Sequence, residues 1–251
     1  GVLIQTKRHS FICALLGIRH IVLAVNKIDL VGYEADVFDR IVNDYMAFAN
    51  KLGFASVRAI PLSAKIGDNV TYASEHTPWY DGPTLVEHLE TIDVESDIVE
   101  KPFRFPVQWV NRPNLDFRGF SGTGAAGVVK PGDKVVVAAS GKTTTVSRIV
   151  TADGDLAEAR AGDAITLTLA DEIDIMRGDV IAPVTARPEV ADQFAANILW
   201  MADEALLPGR PYLMKIGTSY VPVRVTALKH KVDVNTLEHL AGKTLGLNEI
   251  G

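Results

Sequence analysis

Three polar side chains close an apolar run near the start of the chain. Ile21-Val22-Leu23-Ala24-Val25 is followed at once by Asn26-Lys27-Ile28-Asp29. Asp29 has the chemistry to read a guanine base. Guanine offers two adjacent donors, N1–H and the N2 amino group, and one carboxylate can accept both, as bidentate pairs do elsewhere. Adenine presents an acceptor at N1 and has no amino group at C2, so it would leave the carboxylate desolvated and unpaired, a strong basis for rejection. Lys27 can lay its methylene stem over the flat base, and the Asn26 amide can tie neighbouring loops together. A surface turn after a strand would also accommodate Asn-Lys-x-Asp, so a second element has to support the reading. Val57-Arg58-Ala59-Ile60-Pro61-Leu62 supplies it by ending in Ser63-Ala64-Lys65. There the Ala64 N–H could donate to guanine O6, and Lys65 could cover the other face of the base. The specific signal is the motif together with its context: strand, helix, strand, with a polar group at each strand's end.

Those groups need a framework. A short, continuous apolar run suits a strand buried on both faces of a parallel α/β sheet, and ligands bind at the carboxyl edge of such sheets. The spacing predicts a helix over residues 5–16, stopped by Gly17. It predicts another over 34–52, with Val37, Ile41, Tyr45, Phe48 and Leu52 on one face and Gly53 behind it. Residues 67–81 read as polar and irregular and carry Trp79-Tyr80. Gly82-Pro83 then opens a helix whose apolar stripe is Leu85, Val86 and Leu89. Helix, strand, helix, strand, helix is the order of the second half of a doubly wound α/β domain.

The composition changes at residues 91–102, which are acidic and polar and read as a linker. Helical periodicity then vanishes. Residues 105–110, 126–129, 134–137, 143–150, 164–169 and 180–181 are predicted short strands. Turn signals such as Lys130-Pro131-Gly132-Asp133, Asp153-Gly154-Asp155 and Arg177-Gly178-Asp179 separate them. This spacing argues for a small closed barrel. Residues 183–188 resemble a second linker, and 194–201, 212–216 and 220–229 read as strands of a further β unit. That unit is small for an independent core, and the natural protein is expected to continue beyond it.

Composition excludes some classes. The net charge is −6 over 251 residues, and no basic block stands out, so a nucleic-acid groove is not indicated. Cys13 is the one cysteine, which rules out an intrachain disulfide and fits a reducing, cytoplasmic compartment. It lies among apolar residues and reads as a small buried hydrophobe. No apolar run reaches membrane-spanning length, and no secretory signal opens the chain. Two Gly-Lys-Thr triplets fail as phosphate loops, because Val136 and Leu237 stand where the required earlier glycine belongs. Asp29-Leu30-Val31-Gly32 mimics a γ-phosphate sensor only by overlap with the base-reading motif. His9, His20, His76, His88, His230 and His239 show no metal-ligand spacing, so no metal site is assigned. The residues thus describe the guanine-reading half of a GTPase site, with no catalytic residue of its own. The phosphate-handling half is expected upstream of Gly1.

The chain resembles the translation-factor superfamily of GTPases, in which a G domain precedes two β-barrels. Gln5-Thr6-Lys7-Arg8-His9 looks like the post-switch helix of that group, and Pro78-Trp79-Tyr80-Asp81-Gly82-Pro83-Thr84-Leu85 like the entry to its last G-domain helix. Within the superfamily it is most similar to the large, GTP-binding subunits of bacterial sulfate adenylyltransferase. The stretch that carries this is Phe105-Pro106-Val107-Gln108-Trp109-Val110-Asn111-Arg112-Pro113-Asn114-Leu115-Asp116-Phe117-Arg118-Gly119. Ile173-Asp174-Ile175-Met176-Arg177-Gly178-Asp179 and Lys231-Val232-Asp233-Val234-Asn235 add to it. The resemblance implies a multidomain α/β plus all-β protein: the C-terminal part of a P-loop GTPase domain over 1–97, a barrel of elongation-factor-Tu type over 98–187, and a second, partial barrel over 188–251. It implies GTP or GDP as ligand at Asn26, Lys27, Asp29, Ser63, Ala64 and Lys65, with Mg²⁺ held through N-terminal elements outside this sequence. It also implies a hetero-oligomer with a small catalytic subunit that makes adenosine 5′-phosphosulfate, some relatives carrying a fused adenylylsulfate kinase. Neither nucleic acid nor membrane is implied as a partner. The alternative is an elongation-factor-like GTPase that delivers aminoacyl-tRNA. The segment around Arg112, Asp116, Phe117 and Arg118 is longer than a barrel turn requires. It is the candidate for reporting nucleotide state to the partner subunit.

Overall fold

The structure, a computed structural model, describes residues 1–94, 96–114 and 116–251. Glu95 of the acidic connector and Leu115 of the long loop lie outside the described residues. The chain forms two compact units. One comprises Gly1–Asp93, Ala196–Pro208 and Thr226–Gly251; the other comprises Val94–Ala195 and Gly209–Val225.

The first unit opens with α1 (Ile4–Leu15). Gly17, at φ +76°, ends it by allowing a paired closure in which Gly17 N donates to Ala14 O and Ile18 N to Cys13 O. β1 (His20–Asn26) leads through a 3₁₀ turn (Ile28–Val31) into α2 (Ala35–Ala49). Phe38, Tyr45, Phe48 and Ala49 of α2 are buried, the face expected of its periodicity. The Tyr45 hydroxyl and the Ser10 hydroxyl lie 2.9 Å apart, tying α2 to α1. β2 (Ser56–Leu62) pairs with β1 in parallel, from His20 against Ser56 to Asn26 against Leu62. β1 departs from expectation: Val25 is its one fully buried residue, because β2 is its only partner strand among the described residues. α3 (Leu85–Thr91) is capped by Thr84, whose hydroxyl accepts from Glu87 N while the Glu87 carboxylate accepts from Thr84 N. Pro83 therefore sits just outside the helix, and Leu89 of the expected stripe is 58% exposed.

The second unit begins with the one-turn helix α4 (Ser96–Val99). Nine strands follow: β3 (Phe105–Asn111), β4 (Gly119–Thr123), β5 (Val128–Val129), β6 (Lys134–Val137), β7 (Thr143–Thr151), β8 (Gly154–Leu156), β9 (Ala159–Arg160), β10 (Ala164–Leu169) and β11 (Val180–Pro183). The sheet runs β10-β4-β3-β11-β6-β7-β8, and an added β10–β7 pairing closes six of these strands into a ring. This is the closed barrel expected. Phe105 and Val107, Val135 and Val137, and Ile165 and Leu167 point inward at every second position and are buried. β4 carries two glycines for a steric reason: a Cβ on Gly122 would meet Pro106 O, and one on Gly119 would meet Thr166 and the Phe117 ring. The hairpin β12 (Pro211–Ile216) and β13 (Ser219–Arg224) belongs to this unit, with the Thr218 hydroxyl donating to Val107 O at 2.7 Å.

The rest of the first unit is irregular apart from β14 (Lys231–Val232) and β15 (His239–Leu240). The strand expected over residues 194–201 does not form. Ile198 and Gly251 exchange backbone hydrogen bonds and Trp200 N donates to Glu249 O, but only the isolated bridge Leu199–Ile250 results. Its alternating apolar residues mimic a strand, yet Phe194 and Met201 remain exposed.

Candidate functional site: the corner at the ends of β1 and β2

The parallel register of β1 and β2 fixes the site. Asn26 stands opposite Leu62, so both strands release their polar segments at one edge of the sheet. Asn26 Oδ1 accepts from Lys27 N at 2.7 Å and from Ala64 N at 3.0 Å, tying the two segments directly together. The Ala64 N–H, the expected donor to guanine O6, is thus directed at Asn26. Lys27 adopts φ +66°, ψ +34°, which turns the chain sharply into the 3₁₀ turn that carries Asp29. Ile28, 1% exposed, anchors that turn in a core with Val25 and Phe38, worth about 1.5–3 kcal/mol for its burial. Asp29 is half-buried; Lys65 and Lys27 are exposed. Ser63 is 1% exposed, and its hydroxyl has no hydrogen-bond partner among the described residues. A buried unpaired hydroxyl costs about 1–3 kcal/mol, an unsatisfied group at the edge where a ligand would lie.

A polar network missed from sequence supports this edge. Asp68, 9% exposed, accepts from the Tyr33 hydroxyl at 2.9 Å and the Ser74 hydroxyl at 2.7 Å, and lies 3.2 Å from His76 Nδ1. The bonds from Ser74, Tyr33 and His76 together outweigh burial and lower its carboxyl pKa. Asn69 donates to Pro61 O and the Thr77 hydroxyl and accepts from Ser74 N. The one signal available in sequence was the density of Asp, Asn, Ser, Thr and His in a long irregular segment, whose buried backbone must find side-chain partners.

The segment between β3 and β4 is folded against its own barrel. The Phe117 ring covers Gly119 beside Thr166. The Arg118 guanidinium lies 5.6 Å from the centre of the Phe120 ring and 3.9 Å from Asp174, and Arg112 lies 3.8 Å from Glu172. Asp116 N donates to Asn114 Oδ1 at 3.0 Å. Phe117 also borders a cavity of about 450 Å³ with Gln108, Asn111, Ser121 and Thr166. Arg177-Gly178-Asp179 is the turn expected, with Gly178 at φ +102°.

An α/β corner whose two parallel strands release polar segments at one edge, in one chain with a closed six-stranded barrel, defines the elongation-factor-Tu architectural class. Residues 122–182 match the family Elongation factor Tu domain 2, and residues 193–251 match GTP-eEF1A C-terminal domain-like. Among solved structures, sup35 complexed with GDP aligns with 98% of this chain and 63% of its own, at 25% identity and a TM-score of 0.57. The chain is a homologue of NodQ, CysN/CysC and sulfate adenylyltransferase subunit 1. Bifunctional enzyme NodQ of Rhizobium sp. (strain N33) is 59% identical over all of this chain and 39% of the relative. Sulfate adenylyltransferase subunit 1 of Laribacter hongkongensis (strain HLHK9) is 52% identical over all of this chain and 52% of the relative. The chain thus spans about half the length, or less, of the curated relatives it matches. No helix among the described residues is long and apolar enough to cross a membrane.

Proposed function

We propose that this chain is the guanine-reading and barrel portion of the GTP-binding subunit of a cytoplasmic sulfate adenylyltransferase. That subunit couples GTP hydrolysis to the synthesis of adenosine 5′-phosphosulfate and pyrophosphate from ATP and sulfate. The partner is the small catalytic subunit, in a hetero-oligomer. The observation that carries the reading is the Asn26 bridge between the two segments that β1 and β2 deliver to one edge.

In this reading Asp29 accepts guanine N1–H and the N2 amino group, and Lys27 and Lys65 cover the two faces of the base. Ala64 N–H serves O6 once shared between Asn26 and the ligand, and the Ser63 hydroxyl gains a partner as the site fills. These residues bind and orient; they transfer no proton and attack no phosphorus. Mg²⁺ neutralises triphosphate charge when bound. Among the described residues no group of three or more His, Cys, Asp or Glu could hold it. Arg112, Asp116, Phe117 and Arg118 are assigned to signalling toward the partner.

The test uses the full-length protein with its partner subunit. Asp29→Asn turns one acceptor into a donor, and the new amide suits the C2 oxygen of xanthine. The variant should lose GDP affinity, gain xanthosine diphosphate affinity, and drive product formation with xanthosine triphosphate. Unchanged GDP binding with no response to xanthosine nucleotides overturns the assignment.

A further inference from the structure

Asp68 lies between the two base-reading segments and has no part in the base contacts proposed above. We propose that Tyr33 and Asp68 form a clamp that positions Asp29 for two-pronged capture of guanine, and so sets selectivity for guanine over hypoxanthine. The proposal rests on the guanine reading of the corner and identifies what holds its selectivity in place.

The clamp links the two segments through short bonds. Asp68 O accepts from Ser63 N at 3.2 Å, and Gly67 N donates to Ser63 O at 2.7 Å, so the acid is fixed to the Ser63-Ala64-Lys65 side. Its side chain accepts from the Tyr33 hydroxyl at 2.9 Å. Tyr33 is four residues beyond Asp29, and its N–H donates to Ile28 O at 3.0 Å, inside the first motif. Ile28, Tyr33, Asp68 and Ser63 therefore form one chain of short connections across the edge, and Asp29 is the next residue after Ile28.

Tyr33 holds a backbone conformation that bulky side chains rarely adopt, at φ +58°. It is held from four directions. Besides the bonds to Asp68 and Ile28, Trp79 Nε1 donates to Tyr33 O at 2.9 Å, and the Tyr33 ring stacks on His76 with centres 4.7 Å apart. Asn69, at φ +54°, pins the far side by donating to Pro61 O in β2. Strain over-determined by its surroundings marks pre-organisation at a ligand edge. The phenol is pushed up in pKa by burial first, then by its bond to Asp68 and by the charges of Asp68 and Asp29. It stays protonated and donating.

Selectivity gives a readout that loss of structure alone would not move. Inosine diphosphate carries hypoxanthine, which keeps N1–H and lacks the N2 amino group, so only one of Asp29's two contacts survives. Affinities for GDP and inosine diphosphate are measured on the full-length protein as wild type, Tyr33→Phe, Ser74→Ala and Asp29→Ala. Tyr33→Phe removes one hydroxyl and keeps the ring stack on His76. It should narrow the preference for GDP by about three- to tenfold, with inosine diphosphate binding nearly unchanged. Ser74→Ala, which leaves the other carboxylate oxygen with His76 as its remaining partner, should narrow it less. A preference that Asp29→Ala abolishes but Tyr33→Phe and Ser74→Ala retain overturns the clamp alone. Equal loss of both nucleotides in Tyr33→Phe assigns the bond to general packing and likewise overturns it. A wild-type protein with no preference for GDP over inosine diphosphate overturns the guanine reading, and the clamp with it.

Discussion

The β1–β2 corner and the barrel bury opposite kinds of atom. Ser10, Ser63, Asp68, Asn69, Thr77 and Thr84 are the buried polar residues described in the first unit; in the second, Thr144 stands alone. The barrel fills its interior with Phe, Val, Ile and Leu from alternate strand positions and leaves its ion pairs outside, as with Arg148 and Asp155. Its shape follows from period-two patterning and ring closure, which many apolar sequences could satisfy. The corner is shaped by side chains bonded to named backbone groups, and few substitutions reproduce such bonds. One region supplies stability and the other supplies geometry, and variants in each should divide along that line.

The largest expected effect is in the barrel. Leu167 is fully buried in its core, so Leu167→Ala should destabilise the protein by about 2–5 kcal/mol. Denaturant unfolding measures that loss, and the ratio of GDP to inosine diphosphate affinity should stay at its wild-type value. A changed ratio would break the division. Asp29→Asn is the mirror case. It should lower guanine discrimination by about 1–3 kcal/mol, while unfolding stability moves by less than about 0.5 kcal/mol. A large stability loss there would show that the corner carries the fold as well as the site.

The same division explains what the sequence made legible. β1 and β2 were readable because apolar runs ended in polar triplets, and β3, β6, β7, β10 and β11 because β-branched residues recur between glycine turns. β4 was missed because Gly-Phe-Ser-Gly-Thr has little strand propensity. Its glycines are demanded by Pro106 and Thr166, which are distant in sequence, and by the way the nearby Phe117 ring folds back. β8 and β9, at three and two residues, were too short to show a pattern. In the corner, the spacing of two motifs singled out Asn26, Lys27, Asp29, Ser63, Ala64 and Lys65 as candidates, and the structure brings their two segments to one edge. Tyr33, Asp68, Asn69, Ser74 and His76 were not, because hydrogen-bond partners have no periodicity. Residues 67–81 therefore read only as an irregular loop.

Gly119→Ala sharpens the comparison from the barrel's outer face. Its Cβ would collide with Thr166 Cγ2 and press on the Phe117 ring, costing about 1–2 kcal/mol. Adding Phe117→Ala should recover part of that loss in an unfolding experiment. The single variants Phe117→Ala and Arg118→Ala, assayed for product formed per GTP hydrolysed with the partner subunit, test the signalling role assigned to the loop. Unchanged coupling in Phe117→Ala and Arg118→Ala would give these residues to barrel packing alone.

The smallest effect concerns acid. The Asp68 carboxyl titrates below its ordinary 3.8, chiefly because Ser74, Tyr33 and His76 bond to it. A carboxylate with a depressed native pKa contributes stability that is complete above the unfolded value. That contribution is lost as pH falls from the unfolded value through the lowered native one. Protonation turns one acceptor oxygen into a donor and weakens the pair of bonds from Tyr33 and Ser74 to the two oxygens, so the corner should loosen at a pH where the barrel core, which is apolar, has nothing to titrate. Trp79 reports on the corner through its indole bond to Tyr33 O, and Trp109 reports from β3 of the barrel. In variants keeping one of these two tryptophans, acid titration of fluorescence should show a Trp79 transition below about pH 4 that precedes the Trp109 transition. Asp68→Asn should remove that early phase and leave the Trp109 transition where it was. Coincident transitions in the parent, or an early phase that survives Asp68→Asn, would mean that the buried carboxylate does not govern how the corner opens.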